Sequence, residues 1–324
     1  MKTLRDRLAR YTGVLREFKA SYVLYNVLNR DKLQRNKALY RKYGIKKSIL
    51  SPIGHKDMPD HPLDKPWLDQ ENALEQVVQH PDYSNLSDEQ QAAVKHFIQH
   101  GYLVLKGFFK EEAIDQLNAE MDNMLKEQEL KFNYSGRKIL DAFRYSKVAD
   151  EAFFRNQELL RLLNFILGKK VIPFQTLNFI KGSEQSAHSD SIHMCTHPFG
   201  YLIASWIALE DIQEGTGELF YYPGSHRLPF VSAEDYDSGN SYWRIGKESN
   251  RKYEEKMQKV VADNNFPKAV FLAEKGDLLL WHANLIHGGS PITKPESTRR
   301  SMVAHYYCED VICYHEMTQR PALV

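Results

Sequence analysis

The stretch GDLLLWHANLIHGGS, from Gly276 to Ser290, opens on a tight Gly-Asp turn and runs through a short apolar segment. It delivers His287 where the apolar residues give way to glycines. Four to eight apolar residues bounded by turn signals suit a buried strand better than a helix. A buried strand needs partners, and the chain on both sides supplies them. Downstream lies RSMVAHYY (300–307); upstream lie AVFLA (269–273), ELFYY (218–222), YLIASWIAL (201–209), the HSDSIHM region (188–194) and FQTLNFI (174–180). Seven short strands after Pro173 predict a β-sandwich or barrel. One insertion, 228–269, interrupts them with Tyr236, Tyr242, Trp243 and a predicted helix near 251–262. A polar segment of that length inside a compact domain reads as a lid or binding loop.

Before Pro173 the patterns are helical. Ser87, with Glu89 and Gln90 close behind, starts a helix through Phe97, and HGYLVLKGFF follows with a strand over Tyr102–Leu105. Ile114, Leu117, Met121 and Leu125 mark the buried face of a second helix, and 151–167 reads as a third. Residues 1–50 carry 14 lysines and arginines against three acids, although the whole chain of 324 residues has a net charge of only +1. Leu4, Leu8, Tyr11, Leu15, Phe18, Tyr22 and Tyr25 form an apolar stripe at helical spacing, with Arg5, Arg7, Arg10, Arg16 and Lys19 off it. The expected arm packs on the body with a solvated basic face; the alternatives are contact of residues 1–28 with an anionic surface and a dimer seam. Residues 51–69, with four prolines, read as a wrapping linker. The expected organisation is an extension over 1–50, a linker over 51–85 and one domain over 86–324 containing the insertion.

Chemistry narrows to few residues. Three His-x-Asp triplets occur, at His55, His80 and His188. The first lies in the linker and the second is broken by Pro81, whereas a metal pair needs rigid placement. His188 and Asp190, two apart on an expected strand, share a face, and His287 arrives from a distant strand. Two histidines and one carboxylate leave open positions that suit non-haem Fe(II) with a bidentate ligand and dioxygen. Arg299 is placed to pair with the far carboxylate of a bidentate keto acid. Arg300 is the rival, but neighbouring strand residues face opposite sides. His193 reads as a wall or surface residue and His226 as a brace in its turn. His282 and His305 read as core or supporting residues, His282 being five residues from His287 and so of the wrong strand parity. Cys195 reads as a small buried thiol.

These pieces resemble the phytanoyl-CoA dioxygenase family of Fe(II)/2-oxoglutarate oxygenases. The resemblance rests on Lys181-Gly182 before His188-x-Asp190, on WIALEDIQEGTGELFYYPGSHR (206–227), on GDLLLWHANLIHGG (276–289) and on Arg299-Arg300-Ser301, with HFIQHGYLVLKGFF (96–109) upstream. It implies a mainly β protein with flanking helices, α+β, around a double-stranded β-helix (jelly-roll, cupin-like) core. It implies His188, Asp190 and His287 as ligands of Fe(II), Arg299 as the 2-oxoglutarate clamp, and Leu177 and Trp206 in the cosubstrate pocket. Gly289 stands where some relatives carry a serine. Asp190 separates the chain from halogenating relatives, which replace the carboxylate by a small residue. The implied activity is hydroxylation of an unactivated C–H bond in a small metabolite, lipid or sugar-containing substrate. The rival readings are a non-catalytic jelly-roll ligand-binding module and a redox-inert metal cupin.

Composition excludes other classes. Three cysteines make neither a disulfide framework nor a thiolate zinc site, and a reducing, cytoplasmic setting, with the arm peripheral to a membrane at most, is the expectation. No apolar run reaches membrane-span length. No phosphate-cradling loop is present, and no nucleic-acid partner is expected.

Overall fold

The computed structural model describes residues 17–59, 65–133 and 136–323. Helices dominate the first half: α1 (Lys19–Leu28), α2 (Asn36–Lys42), α3 (Ala73–Gln79), α4 (Asp88–His100), β1 (Tyr102–Leu105), α5 (Glu111–Lys126), β2 (Ile139–Leu140) and α6 (Gln157–Leu167). The second half is strands: β3 (Val171–Phe179), β4 (Cys195–His197), β5 (Leu202–Ala208), β6 (Leu219–Tyr221), α7 (Ser249–Asn264), β7 (Ala269–Phe271), β8 (Leu278–His282), β9 (His287–Gly289), β10 (Ser301–Cys308), β11 (Ile312–His315) and β12 (Arg320–Pro321).

The strands make one antiparallel six-stranded sheet, ordered β1-β8-β5-β10-β3-β2, and two three-stranded sheets, β12-β11-β4 and β7-β6-β9. This is the jelly-roll core with flanking helices that the resemblance implied. Strand alternation divides the large sheet into two faces. Leu278, Leu280, Ile203, Ile207, Met302 and Ala304 pack under the helices with Phe97, Leu117 and Leu163. Leu279, Trp281, Ala204, Trp206 and Val303 face the other way, against Leu219, Tyr221 and Phe271 of the small sheet. The inner face is where the cavity opens.

Local chemistry sets the element ends. Ser87 caps α4 through its side chain, Gln90 returns the bond, and Gly101 closes the helix in the left-handed conformation. Asp277 locks the turn before β8 by accepting from the amides of Gly107 and Glu274 and pairing with Lys106 at 2.6 Å. Gly276 there has φ +91°, and a Cβ would stand 2.3 Å from the Phe109 carbonyl oxygen. Gly276→Ala is therefore expected to cost about 2 kcal/mol or more, read as a lowered denaturation midpoint at unchanged slope.

Several sequence expectations need correction. The first large strand begins at Val171, ahead of Pro173, and a bulge opposite His305 and Tyr306 absorbs the extra residue Phe174. The helix expected over 151–167 is interrupted: a π-helical turn covers Ala149–Phe154, and Asn156 caps a fresh start for α6. The HSDSIHM region is no regular strand, since His188 makes a single bridge to His287 and Asp190 opens a 3-10 turn.

The arm also differs. Residues 1–16, which carry most of the expected stripe, lie outside the described residues. In α1 Tyr22 is buried, but Phe18 and Tyr25 from the stripe are exposed, while Lys19, expected off it, is 4% exposed. Lys19 turns inward because polar partners wait there: Nζ donates to Ser241 O and Gln319 Oε1, both at 2.6 Å. Burial lowers its pKa to about 8. The arm also pairs with the insertion, through a bridge between Phe18 and Arg244 and the ion pair Arg244–Glu17. Further on, Leu33, Tyr40, Ile49 and Ile53 share a core with Cys195, Ile312 and Tyr314. Among the described residues no helix is long and apolar enough to cross a membrane.

Candidate metal centre and its cavity

Two backbone hydrogen bonds, His188 N to His287 O and His287 N to His188 O, each 2.9 Å, tie the two histidines side by side although they are 99 residues apart in the chain. Their rings follow, with centroids 4.4 Å apart. Each ring is held by a carbonyl two residues before it: His188 Nδ1 lies 2.8 Å from Ser186 O, and His287 Nδ1 3.0 Å from Leu285 O. A carbonyl accepts only, so both protons sit on Nδ1 and both Nε2 lone pairs are turned inward. They converge on Asp190 Oδ1, at 3.9 Å from His188 and 3.7 Å from His287. Among the described residues these three form the one group whose donor atoms lie within 4.8 Å of one another.

The other carboxylate oxygen is tethered. Trp281 Nε1 donates to Asp190 Oδ2 at 2.7 Å, which leaves Oδ1 facing the imidazoles. His305 Nε2 stands 3.5 Å from the same Oδ2, too far for a good hydrogen bond. Burial opposes ionisation of Asp190, but the imidazoles of His287, His305 and His188 outweigh it and hold its pKa far below the usual carboxylate range. Burial, with His287, keeps His188 neutral. A neutral His188 beside an ionised carboxylate is what a divalent cation requires of its ligands.

A cavity of about 490 Å³ opens from this group, lined among others by Leu177, Trp206, Val303, His305 and Arg299. Arg299 precedes β10 rather than starting it. Its guanidinium donates from Nε to Gly217 O at 3.2 Å and from Nη1 to Ser301 Oγ at 2.7 Å, and packs over Phe179 and Trp206. Its Nη2 has no partner among the described residues. Burial lowers its pKa to about 10 against the pull of Glu210 and Glu218, so it is charged at neutral pH. Arg300 faces outward and pairs with Asp122 at 2.9 Å.

The remaining candidates separate clearly. His55 opens one 3-10 turn and His80 caps another, both away from the centre, His80 against Trp67. His282 and His287 occupy different sheets, so the strand-parity argument that set His282 aside does not apply; His282 Nε2 instead bonds Asp69 Oδ2 at 3.1 Å. His226 packs against His282 in its turn, and Cys195 is buried. His193 lines the cavity. At Gly289 a Cβ would stand 2.7 Å from Ser183 Oγ, so the hydroxyl of Ser183 occupies the space that a serine at 289 would need.

Sequence reasoning missed Trp281 and Lys138. For Trp281 a signal existed, since a buried indole N–H needs an acceptor and Trp281 shares a strand face with Leu279. Lys138, whose Nζ donates to Gln185 Oε1 at 3.1 Å on the cavity wall, sits outside any repeating pattern.

The family described as Phytanoyl-CoA dioxygenase (PhyH) matches residues 97–301. The peroxisomal phytanoyl-CoA dioxygenase of Rattus norvegicus is 24% identical over 302 residues, covering 84% of each chain. Among solved structures, the non-heme alpha ketoglutarate dependent carbocyclase SnoK from nogalamycin biosynthesis superposes with a TM-score of 0.55 at 16% identity, covering 71% of this chain and 87% of its own. EctD from S. alaskensis, solved with 2-oxoglutarate and 5-hydroxyectoine, gives 0.52 at 19% identity, covering 69% and 76%.

Proposed function

The chain belongs to the phytanoyl-CoA dioxygenase family, and from that premise we propose that it is an Fe(II)- and 2-oxoglutarate-dependent oxygenase that hydroxylates an unactivated C–H bond of a small organic substrate. The observation that carries the reading is the convergence of His188 Nε2, His287 Nε2 and Asp190 Oδ1 beside a cavity that also holds the charged Arg299. Two imidazoles and one carboxylate on one side are the ligand set of non-haem iron with open positions. EctD, with the same fold, was solved with 2-oxoglutarate, the cosubstrate proposed here.

Bound iron would supply the activation of dioxygen that no side chain offers. The protein's own groups position and exclude. The carbonyls of Ser186 and Leu285 fix both imidazoles in the ligating tautomer, and Trp281 holds the carboxylate so that one oxygen faces them. Arg299, anchored by Gly217 and Ser301, presents its free Nη2 to the distal carboxylate of 2-oxoglutarate. Trp206, Leu177 and Phe179 keep that pair out of water, where it gains most.

Anaerobic titration of the protein with Fe(II) and 2-oxoglutarate tests this: a visible charge-transfer band of a ferrous keto-acid chelate and one-to-one calorimetric binding are expected. Absence of both would refute the oxygenase reading. Trp281→Phe tests the tether: it removes the donor together with part of the ring, so a cooperative melt is measured beside the metal titration. Metal affinity is expected to fall by about ten- to a hundredfold, with little change in 2-oxoglutarate affinity at saturating metal.

A further inference from the structure

The cavity does not end at the metal centre. Ring contacts lead from His188 to His193 at 5.8 Å and from His193 to His315 at 5.4 Å, and Arg320 follows on the same wall. His315 Nδ1 accepts from the Thr318 amide at 3.3 Å, so the ring proton sits on Nε2, which has no partner among the described residues. Burial, with His193 and Arg320 nearby, keeps this imidazole neutral. Arg320 is half-buried, donates from Nε to Thr318 Oγ1 at 3.2 Å and lies over the Tyr22 ring at 5.1 Å. Among the described residues no carboxylate pairs with it. Lys32, exposed and likewise unpaired there, stands on the same cavity.

This half-buried guanidinium is positioned by a ring and a hydroxyl rather than by an opposite charge, which leaves its charge and its remaining N–H donors to an incoming anion. Its wall is built from α1 and the β11–β12 segment, both outside the matched residues 97–301. We propose that this wall binds an anionic group of the substrate, a carboxylate or a phosphate monoester, with Arg320 as the charge partner and His315 as a neutral donor. The proposal deepens the oxygenase reading and rests on it for the word substrate, while the anion site itself stands on Arg320 and His315. Phe174, Leu140 and Leu323 on the same cavity give the apolar surface for the carbon skeleton. The charge is thereby held away from the iron, and the C–H bond to be oxidised lies on the neutral part of the molecule.

The test uses three probes of equal chain length, octanoate, octyl phosphate and 1-octanol, titrated calorimetrically into the full chain with and without Mn(II) and 2-oxoglutarate. One or both anions are expected to bind more tightly than the alcohol. Arg320→Ala is expected to weaken the anions by about tenfold or more, leave octanol unchanged, and leave 2-oxoglutarate binding unchanged. Arg320→Lys should recover part of the loss, and a cooperative melt of each variant separates this from misfolding. Whichever of octanoate and octyl phosphate depends more on Arg320 identifies the headgroup. Equal binding of all three probes, no binding by either anion at millimolar concentration, or anion binding indifferent to both substitutions would overturn the proposal. Failure of 2-oxoglutarate to bind wild type, with Arg320-dependent anion binding intact, would instead sink the oxygenase reading alone.

Discussion

His287→Ala is expected to abolish turnover of 2-oxoglutarate while the protein still folds. The imidazole contributes one of three donor atoms, and among the described residues no other imidazole joins that group: His305 faces the tethered oxygen of Asp190, and the His193 ring lies 5.8 Å from that of His188. The fold survives because the bridge to His188 uses only main-chain atoms, which Ala also supplies. Truncation leaves a small gap beside Trp281, whose ring lies 4.6 Å from that of His287. The check is succinate release with Fe(II), 2-oxoglutarate and ascorbate, beside a thermal melt. Persistent succinate formation by a cooperatively folded variant would remove His287 from the metal centre.

Arg299→Ala should act on a different quantity. Its guanidinium is fully buried and its Nη2 is free, so the carboxylate it receives gives up water for a charge-assisted pair. Removing one member of a buried pair costs roughly 3 to 5 kcal/mol, so the 2-oxoglutarate dissociation constant should rise by at least about a hundredfold. Fe(II) affinity measured without cosubstrate should hardly move. Arg300→Ala provides the control: its ion pair with Asp122 is at the surface and worth about 1 kcal/mol or less. If the two substitutions exchanged effects, the assignment of Arg299 to the inner face would be wrong.

Much of this arrangement was legible because alternation on strands is a strong physical signal. Leu279 and Trp281, two apart on one strand, share the inner face with Trp206 and Val303 of the neighbouring strands, as alternation on each strand allows. Arg299 and Arg300 also point apart, although both lie just ahead of β10 and outside the strand. The rule stops where the chain leaves regular strands. His188 and Asp190 converge through a bridge and a 3-10 turn, so their shared side owes nothing to a strand period. His282 and His287 looked like neighbours of opposite parity because the sequence hides the turn that sends them to separate sheets. The arm misled for another reason: an apolar stripe predicts which side is buried only if apolar surface receives it, and here Gln319 and Ser241 receive Lys19. The wall at Arg320 was not legible at all, because it joins residues from opposite ends of the chain.

That joining also sets the order of assembly. The Lys19–Gln319 bond closes a separation of 300 residues, whereas the turn around Asp277 joins residues as few as three apart. Closing so long a loop is repaid only after both ends have a surface to land on. The barrel and its histidine pair are therefore expected to form before the outer wall does. In hydrogen exchange, amides of α1 and of 312–321 should open at lower free energy than those of β5, β8 and β10. On that order a folding chain would bring His188, Asp190 and His287 together before it completes the wall of His315 and Arg320.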